Sequence, residues 1–519
     1  MYHWKPGDSA GFFIESQIMP VARTIGQSWP NRVVLVAWLQ DHGVPRCYLL
    51  NYPDLFGEFI GVLGAGLDEV HKILLEYYHG SNEALSVAVT ALATAWPNDS
   101  NTLRFLLNCA SSEHYFWVRK KAASMLAVHF HEYAETLAAL CKLVVEDEDA
   151  DVRRTAVSSL TEFFREDAQI LPLLRDRAVN DDHASVRYAA VSELAEYYRD
   201  DAQTLPLLRD LAVKDKDADG YLRQVAVSEL AEHYRDDAQT LPLLCDLAVK
   251  DADGYLRQVA VSELAEHYRD DAQTLPFLRE RAVKDDHSEV RCAAVSALAE
   301  RYRDDPQTLP LLRDRTVNDA DADVRRAAVS ALAKRYRDDG QTLPLLRDRA
   351  VKDTHEAVRQ AAVSALAEHY RDDAQTLPLL RDRAVNDTHE AVRQAAVSAL
   401  AEHYRDDAQT LPLLRDRAVE DTHEDMRRAA VSALAEHYRD DAQTLLLLRD
   451  RAVNDKSPAQ KSDLWGGGVR ESAIEALAEY WPVHPDTLSL FRERAKNDPT
   501  PWLRERSKEM ADRIEGKKE

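Results

Sequence analysis

Three histidine-glutamate pairs recur in this sequence at intervals of 34 residues, and both residue types can bind metal. The pairs are His355-Glu356, His389-Glu390 and His423-Glu424. Zinc and iron in proteins are coordinated by imidazole nitrogen and carboxylate oxygen. Three adjacent helical units would place the pairs roughly 10 Å apart, whereas the ions of a di-metal centre lie about 4 Å apart. We therefore predict no metal site here, and interpret the pairs as part of helix caps.

Two acidic turns imitate the beginning of a calcium-binding loop. Asp215–Gly220 has aspartate at its first, third and fifth positions followed by glycine, and Asp319–Asp323 has the same alternation. A calcium loop closes with a bidentate glutamate at its twelfth position, but the twelfth residue from Asp215 is Ala226. We interpret both segments as acidic turns that cap helices.

Motifs for catalysis and nucleotide binding are missing from the sequence. It contains no Gly-x-Ser-x-Gly elbow and no phosphate-binding Gly-x-x-x-x-Gly-Lys-Ser/Thr loop, and Gly466–Gly468 has neither a lysine nor a preceding strand. The five cysteines are scattered singly, at no metal-ligand spacing, which is typical of free thiols. We predict no catalytic residue, no cofactor and no bound metal.

The paired residues belong to a unit of about 34 residues, of which Leu377–Thr410 is a representative copy. Apolar residues in this copy follow helical spacing in two runs, separated by the turn Asn386–Thr388. Pro378 falls in the first turn of the first run, and Asp387 or Thr388 could cap the second. The proline marks the most similar copies, at Pro172, Pro206, Pro242, Pro276, Pro310, Pro344, Pro378 and Pro412.

A repeat of this length predicts helical hairpins that stack because none can bury its apolar surface alone. We count about thirteen hairpins and predict an all-α fold, a right-handed α-α superhelix of the solenoid type. Its second helix is apolar over about two thirds of its circumference, as expected for a helix packed on both sides.

The repeat resembles the HEAT repeat, in which a turn aspartate is paired with an arginine early in the second helix. Asp387, Val392-Arg393 and Ala395-Ala396 carry this resemblance, which extends over most of the chain. The amino-acid sequence of the repeat also resembles the C-terminal HEAT arrays of bacterial NACHT-type signalling ATPases, which act as sensors. No ATPase motif accompanies it in this sequence.

Two enzyme classes use similar repeats and are the alternatives to a binding protein. Deoxyhypusine hydroxylase carries its iron ligands as His-Glu pairs on HEAT helices, but in that family the pair follows the Val-Arg dipeptide. His355-Glu356 instead precedes Val358-Arg359. Phycobilin lyases are the second alternative.

The ends of the chain differ from the middle. We predict an N-terminal cap of undetermined fold in residues 1–66, degenerate repeats in 67–136, near-identical repeats in 137–455, and an expanded turn with a C-terminal capping repeat in 456–519. All eight tryptophans lie before residue 118 or after residue 464. Large aromatic residues at both ends suit capping units and binding surfaces equally.

The net charge of −24 restricts the classes of partner. An acidic chain disfavours binding to nucleic acid and to anionic membranes. No apolar run reaches the length needed to cross a membrane, and the N-terminal residues do not resemble a secretion signal. We expect a cytoplasmic protein whose partners are other proteins.

One position on the predicted concave side varies between units and is our candidate for partner contact. In the representative copy it is Gln394, which is followed along the same polar stripe by Ser398 and Glu402. The residues at this position are Arg154, Tyr188, Gln224, Gln258, Cys292, Arg326, Gln360, Gln394 and Arg428. We predict a non-enzymatic scaffold or recognition array that binds protein through its concave face and its inter-helix turns, the alternatives being a NACHT-type sensor array and a HEAT-type enzyme.

The expanded turn from Lys456 to Gly468 supplies a further candidate, Trp465. We predict that Trp465→Ala weakens partner binding by about 2 kcal/mol or more, because exposed tryptophan is enriched among binding hot spots. Binding affinity and melting temperature should be measured together. A lower melting temperature with unchanged affinity would mean that Trp465 covers the terminal unit instead.

Overall fold

The computed structural model of the protein describes residues 71, 82–111, 115–214, 220–456 and 468–516. These ranges contain 25 helices and no strand, which confirms the all-α prediction. The helices are α1 Asn82–Ala95, α2 Ser100–Ser111, α3 Phe116–Phe130, α4 Ala134–Glu146, α5 Ala150–Phe164, α6 Ile170–Asn180, α7 Ala184–Tyr197, α8 Thr204–Val213, α9 Tyr221–His233, α10 Thr240–Lys250, α11 Gly254–His267, α12 Thr274–Lys284, α13 Ser288–Arg301, α14 Thr308–Asn318, α15 Ala322–Arg335, α16 Thr342–Lys352, α17 Glu356–His369, α18 Thr376–Asn386, α19 Glu390–His403, α20 Thr410–Glu420, α21 Glu424–His437, α22 Ala442–Asn454, α23 Val469–Tyr480, α24 Pro485–Asn497 and α25 Pro501–Ile514.

From α2 onward the helices pair as the first and second members of successive hairpins, and α1 is the second helix of a preceding unit. The fold divides at Glu263 and Leu264 into two compact units. Within each unit, second helices pack against their own first helix and against neighbouring second helices. The predicted cap at residues 1–66 lies outside the described residues, so the domain boundaries stay predictions.

The hairpin formed by α18 and α19 shows why the sequence folds in this way. Pro378 is the third residue of α18, where a helix has no backbone acceptor for an N–H. The next residue, Leu379, donates its N–H to the carbonyl of Gln375 at 3.2 Å. The first helix ends where Asp387 becomes extended, with φ −67° and ψ 137°.

The cap of the second helix differs from the prediction. His389, not Asp387 or Thr388, is the N-terminal cap of α19, and its Nδ1 accepts a hydrogen bond from the N–H of Ala391 at 3.2 Å. Asp387 accepts the N–H of His389 at 3.0 Å and so shapes the turn before the helix. The prediction was wrong because the carboxylate of Asp387 accepts hydrogen bonds from an arginine of the preceding hairpin.

The core consists mainly of second-helix side chains. In α19 the side chains of Val392, Ala396, Val397 and Leu400 are fully buried, whereas α18 contributes chiefly Leu380 and Ala384 from one face. Small and β-branched residues allow second helices to approach on two sides. This confirms the prediction of a second helix that is packed on both sides.

In most of the described second helices, an arginine joins its hairpin to the next one. Arg393 donates from Nε and Nη2 to the two carboxylate oxygens of Asp421, at 2.9 and 2.8 Å, and from Nη1 to the carbonyl of Asp387 at 3.0 Å. Residues up to 263 contain the equivalent pairs Arg119–Asp147, Arg153–Asp181 and Arg223–Asp251, and residues from 264 contain Arg291–Asp319, Arg325–Asp353, Arg359–Asp387, Arg393–Asp421, Arg427–Asp455 and Arg470–Asp498.

Two further contacts repeat at the same junctions. Arg381 of the first helix pairs with Asp407 of the turn that precedes the next hairpin. Tyr404, at the end of α19, donates its hydroxyl to the carbonyl of Arg371 in the preceding hairpin at 2.7 Å. Each such junction is therefore fixed at the beginning and at the end of the second helix.

The charge states of a buried pair show that it is a stable ion pair. Burial opposes ionisation of Asp387, but hydrogen bonds from Arg359 and from the backbone of His389 lower the pKa of Asp387 overall. The hydrogen bond to Asp387 correspondingly raises the pKa of Arg359. A carboxyl group whose pKa is lowered by folding stabilises the fold above its unfolded pKa, and this contribution is lost in acid.

Removing one member of a buried pair should therefore destabilise the protein. Asp387→Ala leaves the guanidinium of Arg359 buried without its carboxylate, and the expected loss is about 3–5 kcal/mol in the free energy of unfolding, measured with urea. Asp382→Ala is the matched control, because Asp382 is half exposed and pairs with Arg383 on the surface, where an ion pair contributes about 0–1 kcal/mol. Equal losses in the two variants would contradict the prediction.

Candidate partner-binding surface

The variable position predicted for partner contact lies on the surface of the second helices. Its side chains are exposed at Arg154, Arg326, Gln360 and Gln394. They are half-buried at Tyr188, Gln224, Gln258, Cys292 and Arg428. Trp465, the other predicted contact residue, lies outside the described residues.

Arginine at this position pairs within its own helix. Arg154 contacts Asp151 at 2.9 Å, and Arg326 contacts Asp323 at the same distance. Arg428 pairs likewise with Asp425, at 2.8 Å. Because arginine occurs here only where aspartate stands three residues earlier, part of the variation follows a local ion pair. Such exposed pairs contribute little to stability, and the charge they offer a partner is already neutralised.

Three neighbouring second helices carry tyrosines near their beginning. Tyr188 of α7 and Tyr221 of α9 form an edge-to-face pair, with ring centroids 4.7 Å apart and planes at 61°. Tyr221 is 51% exposed, and Tyr255 of α11, in the corresponding position of the next unit, is 64% exposed. We call Tyr188, Tyr221 and Tyr255 the tyrosine row.

A glycine allows the first residues of α9 and α11 to approach each other closely. Gly220, the residue before α9, has a φ of +68°, which favours glycine, and a Cβ there would lie 2.8 Å from Oδ2 of Asp253. The other oxygen of Asp253 accepts the N–H of Tyr255 at 2.9 Å. The backbone on either side of the junction is thereby held next to the tyrosine row.

The same three helices carry glutamates where the later units have alanine. We call Glu193, Glu229 and Glu263 the glutamate row; the equivalent residues in later units are Ala297, Ala331, Ala365, Ala399 and Ala433. Thr161 donates its hydroxyl to Glu193 at 2.6 Å, and Ser228 donates to Glu263 at 2.6 Å. Each of these contacts joins one hairpin to the next.

Partial burial makes ionisation of Glu193 and Glu229 unfavourable. It raises the pKa of Glu193, an effect that the charges of Glu196 and Glu162 reinforce. Burial also raises the pKa of Glu229, with the charge of Glu232 adding to the effect and that of His233 opposing it. The fold therefore holds Glu193 and Glu229 at positions that alanine occupies in later units, although their ionisation is disfavoured.

The sequence prediction identified only Tyr188 among these residues. Tyr221 and Tyr255 were missed because they stand three residues before the variable position, although the repeated Gly-Tyr-Leu-Arg was visible in the sequence. The glutamate row was missed because helical periodicity assigned its position to the buried face. The sequence feature that could have revealed it is Ser-Glu-Leu-Ala in three consecutive units, where the later units have Ser-Ala-Leu-Ala.

The histidine-glutamate pairs and the turns that resemble calcium loops take part in helix caps and ion pairs. His355 accepts the N–H of Ala357 as a helix cap, and its Nδ1 lies 3.6 Å from Glu356. Asp319, in one of the turns that resemble a calcium loop, pairs with Arg291, and Asp321 caps α15. Among the described residues, no group of three or more histidine, cysteine, aspartate or glutamate side chains has the arrangement of a metal site.

Replacing the buried glutamates should stabilise the protein at neutral pH. A carboxyl group whose pKa is raised by folding destabilises the fold increasingly as the pH rises through that pKa. Glu193→Ala/Glu229→Ala should therefore increase the melting temperature at pH 7 and have a smaller effect near pH 4. Glu196→Ala, which removes an exposed charge from the same helix, should change it less. A decrease at pH 7 would show that the inter-hairpin hydrogen bonds outweigh the cost of burial.

Solved structures resemble the chain at low sequence identity. YibA from Escherichia coli is 19% identical, and the match covers 56% of this chain and 99% of that one with a TM-score of 0.35. Yeast importin-β, Kap95p, is 13% identical over 97% of this chain and 69% of its own, with a TM-score of 0.45. Kap121p is 14% identical over 97% of this chain, with a TM-score of 0.43, and the chain spans 57% of its length.

No curated protein sequence matches the chain significantly. The family model for HEAT repeats matches it in overlapping segments, at residues 67–161, 137–231, 171–265, 241–333, 315–401, 343–435, 377–463 and 411–511. The segments together extend over most of the sequence and include all the hairpins described above. The chain therefore belongs to the HEAT-repeat family.

Proposed function

We propose that this protein is a non-enzymatic scaffold that binds protein partners through the exposed stripe of its second helices. The observation that carries the proposal is the separation of buried apolar and exposed polar side chains on each second helix. In α19, the apolar side chains are buried against neighbouring helices, whereas Gln394, Ser398 and Glu402 are exposed along one side. Repetition presents this stripe again on each following hairpin.

Packing on both sides makes the stripe a rigid surface. The arginine-aspartate pairs and the tyrosine hydroxyl contacts hold the two ends of the second helices, so little backbone freedom is lost when a partner binds. A rigid polar surface with variable positions is suited to recognising a specific protein. A recognition array of the NACHT type would use the same surface and is the more specific form of this proposal.

An enzyme would require groups that converge on one place. The candidate histidines and aspartates of the described residues are instead occupied as helix caps or as acceptors for arginine. None of the described helices has both the length and the apolar character needed to cross a lipid bilayer. Near-stoichiometric iron in the purified protein would overturn the non-enzymatic proposal.

The test compares two variants that carry the same number of substitutions. The first replaces Gln224, Gln258, Gln360 and Gln394 in the stripe with lysine, and the second replaces four exposed first-helix valines, Val249, Val283, Val351 and Val385, with lysine. A partner captured from the native cell is purified, and its affinity for each variant is measured by calorimetry. We expect at least tenfold weaker binding to the stripe variant and little change in the valine variant. The reverse result would place the binding surface on the first helices.

A further inference from the structure

The tyrosine row and the glutamate row occur in the same three consecutive hairpins. In the other near-identical units the position of Tyr221 is occupied by small or acidic residues, and the position of Glu229 by Ser159 in α5 and by alanine in the later units. Both departures oppose ordinary stability, because one exposes large aromatic rings and the other partly buries carboxyl groups. Their coincidence indicates one surface with a common use.

The two rows lie on the same side of the helices. On α9, Tyr221 precedes half-buried Gln224 and Ser228 and exposed Glu232, which occupy the same stripe, and Glu229 borders that stripe. Eight residues separate Tyr221 from Glu229, or about 12 Å along a helix. Neighbouring second helices lie about 10 Å apart. The surface is therefore about 20 Å wide across three helices, enough for roughly six residues of an extended chain.

The charge of this surface is negative. Exposed Glu162, Glu196 and Glu232 stand beside the glutamate row. Arg223 is occupied by Asp251, and Arg187 and Arg257 donate to the backbone carbonyls of Asp181 and Asp251. His233 lies 3.3 Å from Glu229 and is charged only when protonated.

This combination selects a cationic occupant. Lysine and arginine side chains are attracted to the faces of tyrosine rings and to carboxylates, whereas phosphates and acidic peptides would be repelled. The planar guanidinium of arginine suits both contacts, since it can stack on a ring and bind a carboxylate with two hydrogen bonds.

We propose that the second-helix face of α7, α9 and α11 binds an extended, arginine- and lysine-rich segment of a protein partner. This inference rests on the proposed scaffold function and names the partner chemistry for one part of its surface. Basic side chains lie over the tyrosine row and reach the glutamate row between adjacent helices.

The test uses a fluorescently labelled peptide of twelve residues in which arginine and serine alternate. Its binding to the full chain is measured by fluorescence anisotropy at physiological salt, where attraction between distant charges is screened. We expect an affinity in the micromolar range. Glu193→Ala/Glu229→Ala/Glu263→Ala should weaken it at least tenfold, and Tyr221→Ala/Tyr255→Ala at least fivefold. Alanine is the residue that the later units carry at the glutamate positions, so these substitutions are compatible with the hairpin.

The matched control is Asp314→Ala/Asp382→Ala/Asp416→Ala, which removes three exposed negative charges from first helices of later units. It should change the affinity less than twofold. Equal weakening by the two triple variants would overturn the inference, because net charge alone would then explain binding. Equal affinity for a glutamate-serine peptide would also overturn it. If the arginine peptide fails while a native partner still binds the wild-type chain, only this inference is lost; failure of both removes the scaffold function as well.

Discussion

The contact between an arginine of one second helix and an aspartate of the next hairpin is the constraint on which this structure depends. Arg393 binds the carboxylate of Asp421 and the carbonyl of Asp387 together, so one guanidinium fixes both its own turn and the position of its neighbour. The interval of 28 residues is kept at Arg223–Asp251 and Arg470–Asp498, although the sequence is lengthened before each of these arginines. Insertions are accommodated in the turn of a hairpin and not between an arginine and its aspartate.

Near-identity of the units makes departures from them informative. A buried glutamate in an isolated protein has many explanations, but here the same position holds alanine in later hairpins of the same chain. Those hairpins show that the fold does not need the carboxylate. Glu193 and Glu229 thus keep carboxyl groups whose ionisation the fold disfavours, as functional sites commonly do. The tyrosine row strengthens this interpretation because it departs from the other units in the same three hairpins.

Residue types that could do chemistry serve structural roles in this fold. His389 is a helix cap, and the aspartate of the following turn, Asp421, is the acceptor for a buried arginine. Polar side chains recur at these places because each hairpin leaves backbone N–H groups and one guanidinium that need partners. A repeated motif of metal-ligand residues is therefore weak support for a metal site when the repeat interval separates its members.

The sequence by itself determined the helical hairpin, its repetition and the two-sided burial of the second helix, because periodicity, proline position and turn residues act locally and recur in most units. It also identified the arginine and the aspartate of the repeat through their resemblance to HEAT repeats. Only the tertiary structure decided that Arg393 binds Asp421 of the following hairpin and that His389 takes the cap. It also brought Tyr188 against Tyr221 from another unit. These outcomes depend on how hairpins stack, and the distance between side chains of different hairpins is set by packing, which the pattern within one unit does not contain.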